Sequence, residues 1–87
     1  MLKIKKGDKV IVLSGQYKGI KGKVISIFPK KNKALVKGMV GIVYLIYLCK
    51  IAIIDPISGK PTRIGFEFYN SVKHRIAKRS GSIIFTK

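Results

Sequence analysis

The chain is poor in the residues that carry out chemistry. Among its 87 residues are three Asp plus Glu, one His, one Cys and no Trp. General acid–base catalysis needs positioned His, Asp or Glu. The stock here is Asp8, Asp55, Glu67 and His74, scattered and without paired carboxylates. A metal site needs several ligands at suitable spacing, which one Cys and one His do not supply. The acids are too few for a calcium loop. The lone Cys49 excludes an internal disulfide and points to a reducing compartment, or at least to a fold that does not depend on disulfides. An enzyme is therefore the least favoured reading, and no cofactor, metal or small-molecule substrate is expected.

Long apolar runs are missing too. Met1 to Asp8 carries positive charge but no following apolar region, so it is not a secretory signal. The most apolar stretch, Met39 to Ile54, is broken by Gly41 and Lys50. It falls short of the roughly 20 residues that cross a bilayer as a helix. It is rich in Val, Ile and Tyr, which favour strands, so buried strands are expected there and no membrane partner.

What the chain has is positive charge. Nineteen Lys plus Arg against three acids give a net charge of +16, against about 2–8 for a typical small soluble domain. A compact state with this charge repels itself. A polyanion that binds the folded state neutralises it and stabilises it by mass action. Nucleic acid is the first candidate and an anionic membrane the second. A hydrophobic content of 47% excludes a disordered basic tail. The length suits one small domain over residues 1–87. Lys outnumbers Arg and Ile is the commonest apolar residue, the bias of an AT-rich coding sequence in an organelle or a reduced bacterial genome.

Turn signals punctuate short β-branched runs. Strands are expected at Lys9–Leu13, Lys23–Phe28, Ala34–Lys37, Ile42–Leu48 and Lys50–Ile54. Asp55 to Pro61 is a strong turn, with Pro56 and Gly59 supplying the constrained and the permissive residue. Arg63–Phe68 alternates, with Ile64, Phe66 and Phe68 on one face; Tyr69-Asn70-Ser71 turns the chain. Val72–Ile76 alternates again, with Lys73 and Arg75 opposite Val72 and Ile76. Lys78–Ser82 is a basic loop, and Ile83-Ile84-Phe85 is a candidate terminal strand. Short strands with regular turns mean an all-β barrel or sandwich, its lysines spread over several sides.

The most informative segment runs from Lys6 to Ile27. Two strands flank a loop holding Gly15, Gly19 and Gly22. Glycines there allow positive φ and close approach of another chain. Exposed loop N–H groups can donate to phosphate oxygens. Lys18, Lys21 and Lys23 add point charges, while Ser14, Gln16 and Tyr17 are polar, with Tyr17 placed to stack on a base. A tight hairpin with merely solvated lysines remains the alternative. His74 reads as a packing or partly exposed residue, Cys49 as a small buried hydrophobe, and Tyr44 and Tyr47 as core or protein-interface residues. Glu67 reads as an outward partner of a nearby Lys, and Asp8 as shaping the start of the first strand.

Gly7 to Val24 resembles the KOW motif, G-D-x-V-x-V-x-S-G-x-x-K-G-x-x-G-x-V, whose domain would occupy about residues 6–33. The motif occurs in ribosomal proteins and transcription elongation factors. More of the chain is similar to the bacterial-type large-subunit ribosomal protein family twenty-four. Lys3-Ile4-Lys5-Lys6 matches its basic lead, and Val36-Lys37-Gly38 the end of its third strand. Lys50–Asp55 with Gly59–Phe66 mirrors its Asp…Gly-Lys…Arg-Val-Gly-Phe stretch, and Lys73–Gly81 its basic C-terminal pattern. The resemblance implies an SH3-like β-barrel with a C-terminal β-hairpin or extension. It implies a structural protein of the large subunit, in the ribosome of a bacterium or an organelle. It also implies direct binding to the 5′ region of large-subunit rRNA as an early assembly protein, beside neighbouring ribosomal proteins.

For Lys3, Lys5, Lys6, Arg63, Lys73, Arg75, Lys78 and Arg79 the residues alone leave a solvated face open; the resemblance implies rRNA backbone contact. In one place the chain departs from the family. A basic, proline-containing segment that forms a projecting hairpin near the tunnel exit would follow the third strand. Here Gly38-Met39-Val40-Gly41 passes almost directly into Ile42-Val43-Tyr44. The rRNA-binding barrel is less affected by that loss than the tunnel rim. Two rival readings are a KOW module of a transcription elongation factor, normally joined to a polymerase-contacting domain, and a cationic membrane-surface or partner-binding protein using residues 39–54. The second would need an amphipathic helix, which the β-branched content disfavours.

Overall fold

A computed structural model of the protein describes residues 3–84. Among the described residues eight strands follow in order: β1 (Lys9–Val12), β2 (Lys21–Phe28), β3 (Lys33–Gly38), β4 (Val43–Tyr47), β5 (Ile51–Ile54), β6 (Pro61–Thr62), β7 (Ile64–Tyr69) and β8 (Val72–Ala77). Six form one curled sheet in the order β4-β3-β2-β1-β5-β6, a half-barrel of SH3-like type; β7 and β8 form a separate hairpin. All pairings are antiparallel. The expected strands are present within a residue or two at their ends. The extra element is β6, a two-residue pairing of Pro61 and Thr62 with Ile54 and Ile53 that begins on the last residue of the expected turn. At the C-terminus, Ile83 makes an isolated bridge to Ile76, and Phe85 lies outside the described residues.

Alternation explains the core. Val10 and Val12, Val24, Ala34 and Val36, Ile46, and Ile51 and Ile53 occupy the inward positions of five successive strands, closed by Ile64. The register of β2 slips by one residue between Val24 and Ser26. This bulge bends the strand and returns Ile27 to the core side, where it packs on the cluster. Gly22 sits at the tightest point: a Cβ there would lie 2.4 Å from the Lys37 carbonyl oxygen and 2.8 Å from a Val36 methyl.

The β7–β8 hairpin turns through Asn70 (φ 51°) and Ser71 (φ 64°), both left-handed, as a two-residue hairpin turn requires. Its base is buried and its tip is free. Ile64, Ile76 and Ala77 are buried, whereas Phe68 is 70% exposed. The expected single apolar face over Ile64, Phe66 and Phe68 thus holds only at the base, because the tip extends past the sheet.

Asp55 organises the β5–β6 turn. Its Oδ1 accepts the Ile57 N–H and the Ser80 hydroxyl, each at 2.8 Å. The Asp55 N–H donates to the Lys60 carbonyl and the Gly59 N–H to the Asp55 carbonyl. Burial pushes the Asp55 carboxyl up, but the hydrogen bonds from Ile57, Ser80 and Ser58 outweigh it and hold the group below its ordinary value. The turn is thereby fastened to the loop that carries Lys78 and Arg79.

Candidate nucleic-acid interface

Strand register assembles a feature that no single segment contains. Lys9 on β1 is the direct partner of Lys23 on β2, and Lys23 is the direct partner of Lys37 on β3. All three side chains are exposed on the outward face. Directly opposed residues have Cβ atoms about 5 Å apart, and like charges so placed are destabilising. A row of three lysines across three strands therefore works against the sheet unless an anion lies on it. A phosphate backbone supplies that negative charge.

The loop between β1 and β2 continues from this row. Gly15 (φ 88°) and Gly19 (φ 91°) hold conformations that favour glycine. The loop is closed on itself: the Gly19 N–H donates to the Val12 carbonyl at 2.8 Å, Ile20 to Tyr17 at 3.1 Å and Lys18 to Gly15 at 3.2 Å. These three amides are thus committed inside the loop, which corrects the expectation that its N–H groups serve as phosphate donors in general. Ser14, Gln16, Lys18 and Lys21 are exposed. Tyr17 is not a free stacking platform. It is half-buried, packs against the core and meets the Tyr44 ring at a centroid distance of 4.7 Å. Gly22 is where β2 and β3 approach too closely for a side chain.

A larger correction concerns Arg75. It is 3% exposed, and its guanidinium forms a two-pronged pair with Asp8: Nη1 to Oδ2 at 2.5 Å and Nη2 to Oδ1 at 2.9 Å. Nη1 also donates to the Lys3 carbonyl at 2.9 Å, and Asp8 Oδ2 accepts the Lys5 N–H at 2.7 Å. Arg75 therefore fastens the N-terminal lead to β8 and is removed from the RNA-contacting set. Asp8 does shape the start of β1, by this pairing. Lys3 and Lys6 remain exposed and Lys5 is half-buried.

Three cations of the C-terminal half come together. Arg63, Lys78 and Arg79 line a shallow groove with Leu13 from the β1–β2 loop. The Lys78 N–H bonds the Arg63 carbonyl, and Arg79 is held by Thr62 Oγ1 and the Pro61 carbonyl, each at 3.0 Å. Lys73 stands apart on the hairpin, its ammonium 4.7 Å from the Phe66 ring centroid. Glu67 accepts the Tyr69 hydroxyl at 2.7 Å rather than a lysine, and that bond and charge raise the Tyr69 hydroxyl above its ordinary value. Cys49 is exposed in a short 3-10 turn (Leu48–Lys50), not buried. With Asp8 and Asp55 buried, Glu67 is the one exposed carboxylate side chain; the acids are withdrawn and the cations left outside.

Residues 6–37 match the KOW motif, and residues 30–84 match the family Large ribosomal subunit protein uL24, C-terminal domain. The chain belongs to the uL24 family. It is thus a protein of the large ribosomal subunit that binds rRNA, in a family that is structural rather than enzymatic. In this uL24-family protein the β3–β4 connection is a tight turn, with the Gly38 N–H bonded to the Ile42 carbonyl at 2.8 Å. Four lysines of its basic surface are not apparent from the sequence. Lys9 and Lys37 appear only through the register. Lys33 and Lys50 approach the Tyr47 ring at 4.8 and 5.7 Å, and Lys50 Nζ also lies beside Gly15. The spacing of Tyr47 and Lys50 was the one local hint of the second pair.

Proposed function

We propose that this protein anchors to the 5′ region of large-subunit rRNA early in assembly, with the lysine row and the β1–β2 loop as its main contact. The observation that carries this is the unbroken Lys9–Lys23–Lys37 row, continued by Lys18 and Lys21, on a sheet whose acids are buried. Binding releases counterions from the phosphates. A rigid sheet selects RNA shape and irregular single-stranded elements rather than a base code. Arg63, Lys78 and Arg79 form a second contact, and Lys3, Lys6 and Lys73 extend the field. Tyr17 and Arg75 hold the barrel together behind the contact. The short β3–β4 turn leaves the anchor and removes the family's projecting hairpin, so the protein's place beside the tunnel exit no longer includes that arm.

The test is competition between rRNA fragments. Purified protein should bind a 5′ fragment of large-subunit rRNA more tightly than a 3′ fragment of equal length, and should join reconstituted particles before most other proteins. Equal affinity for both fragments, or entry only into finished subunits, would contradict the proposal.

A further inference from the structure

Ten consecutive residues, Met39 to Leu48, carry no charge in a chain with nineteen Lys and Arg. They form the β3–β4 turn, β4 and the first residue of the following 3-10 turn. β4 is the terminal strand of the six-stranded sheet. The Gly38 N–H donates to the Ile42 carbonyl, and the Leu48 N–H to the Asn32 carbonyl. Hydrogen-bonded pairs alternate along an antiparallel ladder. Ile42, Tyr44, Ile46 and Leu48 therefore direct their backbone groups to β3, and those of Val43, Leu45 and Tyr47 face the open edge. The side chains of the same three residues lie on the outward face, with Leu45 52% exposed. Beyond them Met39 and Val40 are 92% and 81% exposed.

An open strand edge templates further pairing, and proteins usually blunt it with lysine, proline or a bulge. β4 has no lysine or proline, and its pairing with β3 runs without a register shift. In a protein this rich in lysine, an unguarded edge marks a surface that is covered in use. RNA is a poor cover, because phosphates need cations and β4 itself has none: Lys37 lies one strand inward at its Val43 end, and Lys33 and Lys50 gather at its Tyr47 end. A second copy is also a poor cover, since it brings +16 against +16. The fitting occupant is an extended protein segment with apolar side chains at alternate positions and a carboxylate toward the Tyr47 end of β4, facing Lys33 and Lys50.

We propose that β4 is a docking edge on which such a segment of a neighbouring large-subunit protein adds as a further strand. The proposal rests on the reading of this chain as an rRNA-bound subunit protein. It divides the barrel into an RNA face at Lys9, Lys23 and Lys37 and a protein edge at Val43, Leu45 and Tyr47.

Two variants carrying a photoreactive benzophenone amino acid, one in place of Leu45 and one in place of Lys23, are incorporated into large subunits and irradiated. The position-45 adduct should be a peptide from another subunit protein, and the position-23 adduct should be rRNA. A position-45 adduct to rRNA or to a second copy of this chain, or no adduct, would overturn the docking edge. Loss of the rRNA adduct at position 23 would instead overturn the underlying RNA reading. In the unsubstituted protein, hydrogen exchange at the Val43, Leu45 and Tyr47 amides should be fast when free and slowed about tenfold or more in the subunit, while Tyr44 and Ile46 are protected in both. Equally fast exchange at Leu45 in both states would also overturn it.

Discussion

Replacing Lys9, Lys23 and Lys37 together by Gln separates the cost of the lysine row to the fold from its value to binding. Each lysine that neutralises one phosphate contributes about 0.7–0.9 to the slope of log affinity against log salt. Three lysines on three phosphates thus account for a slope of about 2–3. Between about 50 and 200 mM salt the unsubstituted protein should lose roughly 20- to 40-fold more affinity than the triple variant. The fold should not suffer. Two opposed like-charge pairs, Lys9–Lys23 and Lys23–Lys37, are removed, each unfavourable by about 0.2–1 kcal/mol. The assay is filter binding or calorimetry with a large-subunit rRNA fragment across a salt series, alongside urea unfolding. An unchanged slope in a folded variant would refute the assignment of the row to phosphate. A variant that unfolds more easily would refute the account of strain between the lysines.

Arg75→Met breaks the buried two-pronged pair with Asp8 and should cost about 3–5 kcal/mol of stability in urea unfolding, with the rRNA salt slope unchanged wherever the variant is folded; adding Asp8→Leu should recover much of the loss. If Arg75→Met folds normally and lowers the slope, Arg75 is an RNA contact after all. Gly22→Ala forces β2 from β3, because its Cβ meets backbone at 2.4 Å, and should destabilise by about 3 kcal/mol or more, the upper end of overpacking. Gly19→Ala meets open space and should cost only the roughly 1–2 kcal/mol of a left-handed residue; equal thermal shifts for the two would contradict this. Asp55 has a folded value below its ordinary one, so its contribution to stability is full above the unfolded value and is lost as pH falls through the lower folded value. Ser80→Ala removes one of its bonds and should shrink this acid-side loss in pH-dependent unfolding; an identical pH profile would contradict the role of the Ser80 bond.

The strands were legible because β-branched runs and turn residues mark them directly, and the family was legible because its motifs run from Lys3 to Gly81. The burial of Arg75 was not. Along β8 the exposed tip gives way to a base buried on both faces: Val72 and Lys73 are exposed, while Arg75, Ile76 and Ala77 are all buried. A two-residue period places Arg75 with Lys73 and cannot register that change. Its partner Asp8 is 67 positions away. The same limit applies to the lysine row, where Lys9, Lys23 and Lys37 meet only once two registers are set. Pro61 reads as the end of a turn, and its strand with Thr62 is missed because that pairing depends on where β5 lies. Tyr17 looks polar among Gln16 and Lys18, yet Tyr44 from another strand covers it.

The central claim is that the outward lysines of β1, β2 and β3 lie on rRNA. Its most direct test is a lysine-acetylation footprint of the unsubstituted protein, free and within purified large subunits, read by mass spectrometry. Lys9, Lys23 and Lys37, with Lys18 and Lys21, should react readily in the free protein, lose reactivity in the subunit and regain it when the rRNA is digested by ribonuclease. Row lysines that stay reactive in the subunit, or shielding that survives digestion of the RNA, would contradict the account.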